Sequence, residues 1–355
     1  MGICQSMCAS TEIRQQTKRN KEIEKELEKT ENVLVQKVLL LGPGESGKST
    51  VQKQMRMMHS EKMDDAELES KKLLIFQMLL QSMTDLLEVA HKMNLEIPKD
   101  LSEAEEILMG HVRKHEKDKI PIPPEIVVKL KLLWESHVIK LAYSNKKLRH
   151  VTDSTEYFYN DLDRLFVPGY QPNKLDILHT RVPTTGINTC QFTVKSIRLE
   201  VIDVGGQRSE RKKWIRAFDS VDAILYVAAI SEYDQTLVED NKTNRIDEAL
   251  ALFYTIANSQ FFLNSSIIIF LNKIDIFREK MKKIPLVQYC PKFTKENTPE
   301  NGMRYFQKEF KSCITDRSRK SYIHETCAVS DQVQIIINSV IDTVVQDNLR
   351  DTGMI

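Results

Sequence analysis

The chain has 355 residues, enough for one large domain or two of ordinary size. Its 51 basic and 50 acidic residues nearly cancel, which excludes the strongly basic footprint of a nucleic-acid-binding protein, and its apolar content suits a soluble protein with a real core. Six scattered cysteines (Cys4, Cys8, Cys190, Cys290, Cys313 and Cys327) form no C-x-x-C pair, which argues against a zinc site or disulfide framework and for a reducing compartment. Met1-Gly2-Ile3-Cys4-Gln5-Ser6 fits M-G-x-x-x-S/T, the pattern for myristoylation of Gly2. One myristoyl chain binds membranes only marginally, so a second signal is expected, and palmitoylation of Cys4, with Cys8 as a further candidate, would supply it. An unmodified tail fits the same residues. The N-terminus lacks the basic stretch and apolar run of a secretory signal, and apolar runs such as Ile267–Leu271 are far too short to cross a bilayer.

Residues 11–32 carry dense alternating charge without Gly or Pro and read as an exposed helix. Val33–Leu41 is a short apolar run ending at a glycine-rich loop, the pattern of a buried strand feeding a turn. From Glu61 to about Leu175 only Gly110 and Gly169 occur. Leu73, Phe76, Leu80, Met83, Leu87 and Ala90 there follow helical spacing, and Pro121, Pro123 and Pro124 must interrupt the helices. This block, 61–175, reads as an inserted all-helical domain between residues 33–60 and 176–355, with 1–32 as an N-terminal helix. Beyond it, β-rich runs return at Asn188–Val194, Ile197–Ile202, Ala223–Val227, Ile267–Leu271 and Tyr322–Cys327. Helical segments such as Arg245–Asn258 and Gln332–Leu349 separate most of them, which predicts an α/β fold with a mostly parallel sheet covered on both faces. The short Thr193–Ile197 turn predicts one edge hairpin.

Gly42-Pro43-Gly44-Glu45-Ser46-Gly47-Lys48-Ser49 fits G-x-x-x-x-G-K-S/T between a strand and a helix. The glycines let backbone N–H groups turn toward phosphates at the positive end of the following helix. Lys48 would reach the β and γ phosphates, and the Ser49 hydroxyl would hold Mg²⁺. The motif says nucleoside triphosphate without choosing the base. Asn272-Lys273-Ile274-Asp275 matches the N-K-x-D element, whose aspartate accepts from the guanine ring N–H and exocyclic amine; adenine lacks that donor pair. Thr326-Cys327-Ala328 matches the second guanine loop, where the Ala328 N–H would meet the guanine oxygen. Each of these short elements alone also fits an ordinary turn; together with the phosphate loop, in order and at strand ends, they choose guanine.

Asp203-Val204-Gly205-Gly206-Gln207 ends a strand. Asp203 is placed to approach Mg²⁺ through water, Gly206 to offer its N–H to the γ-phosphate, and Gln207 to orient the attacking water. Thr184 is the candidate second hydroxyl on Mg²⁺, and Arg181, three residues before it, the candidate arginine finger.

GESGKST (44–50), R-V-x-T-T-G-I (181–187), DVGGQRSERKKW (203–214), SEYDQ (231–235), NKID (272–275) and TCA (326–328) together resemble heterotrimeric G protein alpha subunits, over nearly the whole chain. That family is the standing example of an arginine finger supplied in cis. The resemblance implies a Ras-like GTPase domain with the helical insertion, and it adds Thr50, Asp153, Ser154, Leu178 and Cys327 to the nucleotide site. It also implies two switch segments, around 179–187 and 205–218, tethered by GTP and released on hydrolysis. Implied partners are a beta–gamma dimer, bound through 11–32 and Arg208–Trp214, an effector enzyme or channel, regulators of hydrolysis, and a seven-transmembrane receptor that takes the C-terminus. The implied location is the cytoplasmic face of the plasma membrane.

The tail, through Asn348-Leu349 and Gly353, resembles the inhibitory class, but Thr352 stands where that class carries the toxin-modified cysteine. Pro43 replaces a small residue, His179 a common arginine and Pro183 a common lysine. An ATP-using phosphate-loop enzyme is opposed by NKID and TCA. A GTP-binding scaffold without hydrolysis is opposed by Arg181 and Gln207.

Overall fold

Strands β4 (Ala223–Ala229) and β5 (Ser266–Asn272) are buried at every position, the mark of parallel strands covered on both faces. The computed structural model describes residues 35–59, 63–114, 122–145, 151–194 and 197–351, with side chains as far as residue 346. Gly2, Cys4, Cys8, the expected helix 11–32 and the tail residues Thr352 and Gly353 lie outside the described residues. Among the described residues six strands form one sheet in the order β2-β3-β1-β4-β5-β6. Strand β1 (Val35–Leu41) pairs in parallel with β3 (Ile197–Val204) and β4, and β6 (Ser321–Glu325) pairs in parallel with β5. Among the described strands only β2 (Ile187–Val194) is antiparallel, forming with β3 the edge hairpin that its short turn predicts.

Alternation along the strands sends side chains to two cores. Leu39 and Leu41 point into a core with Tyr226, Phe253, Phe277 and Phe310. That core is covered by α9 (Arg245–Ala257), α10 (Ile274–Met281) and α11 (Pro299–Ser312). Val38 and Leu40 point the other way, toward α1 (Lys48–His59) and α12 (Gln332–Asp351). The apolar stripe of α12 is buried at Val333, Ile337, Val340, Ile341 and Val344, while Ile335 on its far side is 74% exposed.

A third core, separate from these, joins α2 (Asp65–Lys92), α3 (Lys99–Lys114), α4 (Pro124–Glu135), α5 (His137–Ser144), α6 (Ser154–Tyr159) and α7 (Leu162–Leu165). Asp64 caps α2 by accepting the Glu67 N–H, and Pro124 opens α4 at a position where no intrahelical N–H is needed. The buried stripe of α2 is wider than its sequence spacing suggests: Ile75, Leu79 and Leu86 are fully buried, whereas Leu73 and Leu80 are half-buried. The helix packs against α5, α6 and α3 on more than one side, so burial exceeds a single stripe. By length and composition alone α2 could cross a membrane; half of its most apolar window is buried within the protein. Helix α8 (Lys174–His179) then leads back to the sheet.

Candidate nucleotide site

The loop between β1 and α1 is shaped by backbone that side chains resist. Gly42 and Gly47 have φ of 142° and 106°. A Cβ at Gly42 would lie 2.2 Å from the Val227 carbonyl oxygen, and one at Gly47 2.2 Å from Asn272 Nδ2. The second approach explains why the base element and phosphate loop interlock: Asn272 Nδ2 donates to the Ser46 carbonyl at 2.9 Å. Lys48 is 5% exposed and donates to the carbonyls of Gly42 and Pro43 at 3.0 and 2.8 Å. Burial pushes its ammonium down to about 8 against the opposing pull of Asp203.

Beside the loop lies a cavity of about 730 Å³, a volume in the range of small-molecule and cofactor sites. Gly44, Glu45, Gly47, Lys48, Ser49, Thr50, Asp153, Ser154, Leu178, Arg181, Thr184, Asp203, Gly206, Gln207, Asn272, Lys273, Asp275, Cys327 and Ala328 all line it. Gly42 and Ser46 do not: Gly42 carries the turn, and Ser46 is fully buried with its Oγ unpartnered. The sheet and the helical block both line the cavity, the helical block through Val151–Ser154 and Tyr157.

Three oxygens converge at the start of α1. Ser49 Oγ donates to Asp203 Oδ2 at 2.6 Å and lies 2.7 Å from Thr184 Oγ1, which is 3.3 Å from the same carboxylate oxygen. The other oxygen, Asp203 Oδ1, is buried without a hydrogen-bond partner, and burial raises this carboxyl although Lys48 pulls the other way. Two hydroxyls and one carboxylate with a spare buried lone pair suit a hard divalent cation that keeps several waters, as Mg²⁺ does. Among the described residues no cluster of three or more His, Cys, Asp or Glu offers another metal site.

The base end is organised by Asn272, which is 1% exposed. Its Oδ1 accepts the Ala328 N–H at 3.0 Å and lies 3.3 Å from Thr326 Oγ1. The Ala328 N–H that sequence reasoning assigns to a guanine oxygen thus already has an acceptor, and a base oxygen would be its second. Strand β6 ends at Glu325, short of the expected Cys327, because the Thr326-Cys327-Ala328 segment turns toward Asn272. Asp275 is exposed on the cavity side, and burial together with Asp275 raises the Cys327 thiol to about 11.

Sequence reasoning missed the ion network that closes the site. Lys273, at φ 61°, reaches Glu232 at 2.7 Å and Asp153 of the helical core at 3.1 Å. Glu232 also meets Arg245 at 3.1 Å, Arg245 meets Glu45 at 3.1 Å, and Glu45 meets Arg181 at 2.7 Å. Burial works to raise the Glu45 carboxyl, but Arg181 and Arg245 outweigh it and hold it below its ordinary value. Glu232 lies in SEYDQ, so the motif marked the place without giving the partner; Arg245 carried no local signal at all.

The segment after Asp203 is similarly tied. The Trp214 indole donates to the Gly205 carbonyl at 2.7 Å, and Arg211 donates to the Gly206 carbonyl at 3.2 Å. Arg208 and Arg211 both pair with Glu248 of α9, at 2.7 and 2.6 Å. Gln207 is exposed toward the cavity. His179, the replacement for a common arginine, stacks on Tyr157 with ring centroids 3.9 Å apart and planes 10° from parallel. Its Nδ1 lies 3.2 Å from Ser154 Oγ, and burial lowers the imidazole to about 4.

A glycine loop joining strand to helix, interlocked with an N-K-x-D loop on a parallel sheet and roofed by a helical insertion, defines a Ras-like phosphate-loop protein with an all-helical insertion. Comparison with known proteins narrows the class. The family described as G-protein alpha subunit matches residues 17–344. The chain is 44% identical to the guanine nucleotide-binding protein alpha-10 subunit of Caenorhabditis briggsae, over 100% of both chains. It is 39% identical to the alpha-3 subunit of Caenorhabditis elegans over 100% of both chains, and 38% identical to the alpha-17 subunit of that species over 98% of this chain and 99% of the relative. The chain belongs to the G protein alpha subunit family.

Proposed function

We propose that this chain is a GTP-driven switch that hydrolyses GTP slowly and relays signals from seven-transmembrane receptors to an effector enzyme or channel. The observation that carries the reading is the convergence on one cavity of Lys48, the Ser49–Thr184–Asp203 oxygens, Arg181 and Gln207. Bound Mg²⁺ would supply charge neutralisation at the phosphates, held by Ser49 and Thr184 with Asp203 behind them. Lys48 leaves the loop carbonyls for the phosphates, and Gln207 orients a water toward the γ-phosphorus. Arg181 stabilises the charge that develops on the transferred group. Asp275 selects guanine through its paired N–H donors, with Lys273, Asp153, Ser154, Leu178 and Cys327 closing over the nucleoside.

GTP would hold Thr184 and Gly206 in place. Loss of the γ-phosphate removes that hold from the two segments around 179–187 and 205–218. In the resting state the Arg208–Trp214 segment would dock a beta–gamma dimer together with the N-terminal helix, with regulators of hydrolysis acting on the same switches. Lipidation of Gly2 and Cys4 would anchor the chain peripherally at the cytoplasmic face of the plasma membrane.

The test is single-turnover GTP hydrolysis by the purified chain beside Arg181→Cys and Gln207→Leu. Slow turnover by the wild type, with both variants binding GTP but stalled, supports the reading. Binding by all three with hydrolysis by none makes the chain a GTP-binding scaffold.

A further inference from the structure

The Arg181 guanidinium can act on a phosphate only if the backbone that carries it is fixed, and the Glu45 pair at 2.7 Å holds the side chain but not that backbone. Its own N–H meets only the soft Met78 sulfur at 3.2 Å, and its side chain is 35% exposed. The fixing must come from the residues before it. Helix α8 is anchored at its first turn to the helical core. Buried Asp176 there accepts from Arg164 at 2.8 Å, Tyr157 at 2.9 Å and Tyr170 at 3.0 Å, and forms a capping box with Asn173. Its other end, next to Arg181, presents helix-terminal carbonyls with lone pairs to spare, since the Thr180 N–H is shared between Asp176 and Ile177, and a cation satisfies them well.

Lys53 supplies that cation. Its ammonium donates to the Thr180 carbonyl at 2.6 Å, Thr180 Oγ1 at 2.9 Å and the Ile177 carbonyl at 3.0 Å, using all three of its protons on the last turn of α8. Thr180 is 4% exposed and closes the knot by donating its hydroxyl to the Ile177 carbonyl at 2.7 Å. Lys53 stands four residues after Ser49 on α1, so phosphate loop, metal-facing hydroxyl and clamp share one face of one helix. Burial, with Lys71 nearby, brings the ammonium down to about 8, the mark of a cation taken out of water for these contacts.

We propose that Lys53 is a positioning residue for Arg181: by clamping Thr180 to the phosphate-binding helix it sets where the guanidinium meets the transferred phosphoryl group. This rests on the hydrolytic reading above, and the experiment separates the two. Single-turnover hydrolysis of preloaded GTP is measured for wild type, Lys53→Met, Arg181→Cys and the double variant. Lys53→Met is expected to slow hydrolysis roughly ten- to a hundredfold, the upper end being about what a 1 Å misplacement of a catalytic group costs. It should cause no further loss in the Arg181→Cys background, and Lys53→Arg should recover part of the rate. Wild-type speed in Lys53→Met, or a loss that adds in full to that of Arg181→Cys, would overturn the proposal. If Lys53→Met does not fold, Thr180→Val, which removes one acceptor of the clamp, replaces it in the same cycle with the same criteria. A trifluoromethyl-phenylalanine at the exposed position 182, read by fluorine NMR with GDP bound, needs no hydrolysis. Lys53→Met should broaden or split its resonance and leave a control probe at position 254 unchanged. A non-hydrolysing wild type would then end the hydrolytic reading, while an unchanged resonance at 182 would end the clamp.

Discussion

Acidification from pH 7 to pH 5 isolates the contribution of His179. Its imidazole is held neutral between Tyr157 and the Ser154 hydroxyl, with a folded-state pKa of about 4 against an ordinary value near 6.5. Because the folded value is the lower one, the unfolded chain takes up the proton first. The stability from the neutral ring is therefore fully present above about pH 6.5 and is lost as pH falls toward 4. At about 1.36 kcal/mol per unit the whole shift is worth about 3 kcal/mol, and the part lost by pH 5 is about 2 kcal/mol. The assay is urea unfolding of the GDP-bound chain at pH 7 and pH 5 beside His179→Phe, which keeps a ring on Tyr157 but cannot titrate. The carboxylates titrate alike in both proteins and cancel. The wild-type advantage over His179→Phe should shrink by about 2 kcal/mol across the interval; parallel behaviour of the two proteins would refute the argument.

Three further outcomes follow from close contacts elsewhere. In Gly206→Ala the new Cβ would lie 2.4 Å from Lys48 Nζ and 2.6 Å from the Pro43 carbonyl group. The variant should bind GDP but lose most of the Trp214 fluorescence change on adding a non-hydrolysable GTP analogue, and a full response would contradict this. Arg245→Met leaves Glu232, 4% exposed, with Lys273 alone and Glu45 with Arg181 alone, and should cost about 1–3 kcal/mol in urea unfolding. A loss below about 1 kcal/mol would show that the network carries little stability. Tyr226→Phe removes the buried hydroxyl that donates to the Ala249 carbonyl at 2.7 Å while that carbonyl keeps its place in the helical ladder, and should cost about 1 kcal/mol by the same measurement.

Sequence legibility followed locality. Strands β4 and β5 are apolar runs, so their existence was plain; β4 runs on through Ala228 and Ala229, which are buried like the rest of the strand. The hairpin was legible because its turn is short. The phosphate loop was legible because Gly42 and Gly47 stand at backbone angles that favour glycine strongly, and each such position constrains the sequence directly. What stayed hidden were pairings between residues far apart in the chain. Lys53 looks like any surface lysine of a polar helix until α8 folds over it, and Arg245 like a cation in a first turn until Glu45 and Glu232 approach. His179 was visible as a departure, but its stacking on Tyr157 depends on two helices meeting across the cleft.

The ion network also bears on how Arg181 could be both held and available. Glu45 is shared: Arg181, 35% exposed, takes one carboxylate oxygen, and Arg245, 5% exposed, takes the other. Were Arg181 the sole partner, its departure would leave a largely buried carboxylate uncompensated, at a cost of several kcal/mol. With Arg245 fixed behind it, Glu45 stays paired when Arg181 leaves. What is lost is then an ion pair at the solvent edge, worth about 1 kcal/mol or less. A γ-phosphate offers Arg181 more charge than the carboxylate it would give up. The buried arginine thus keeps the exposed one cheap to move, and the resting pair is compatible with the catalytic role proposed for it.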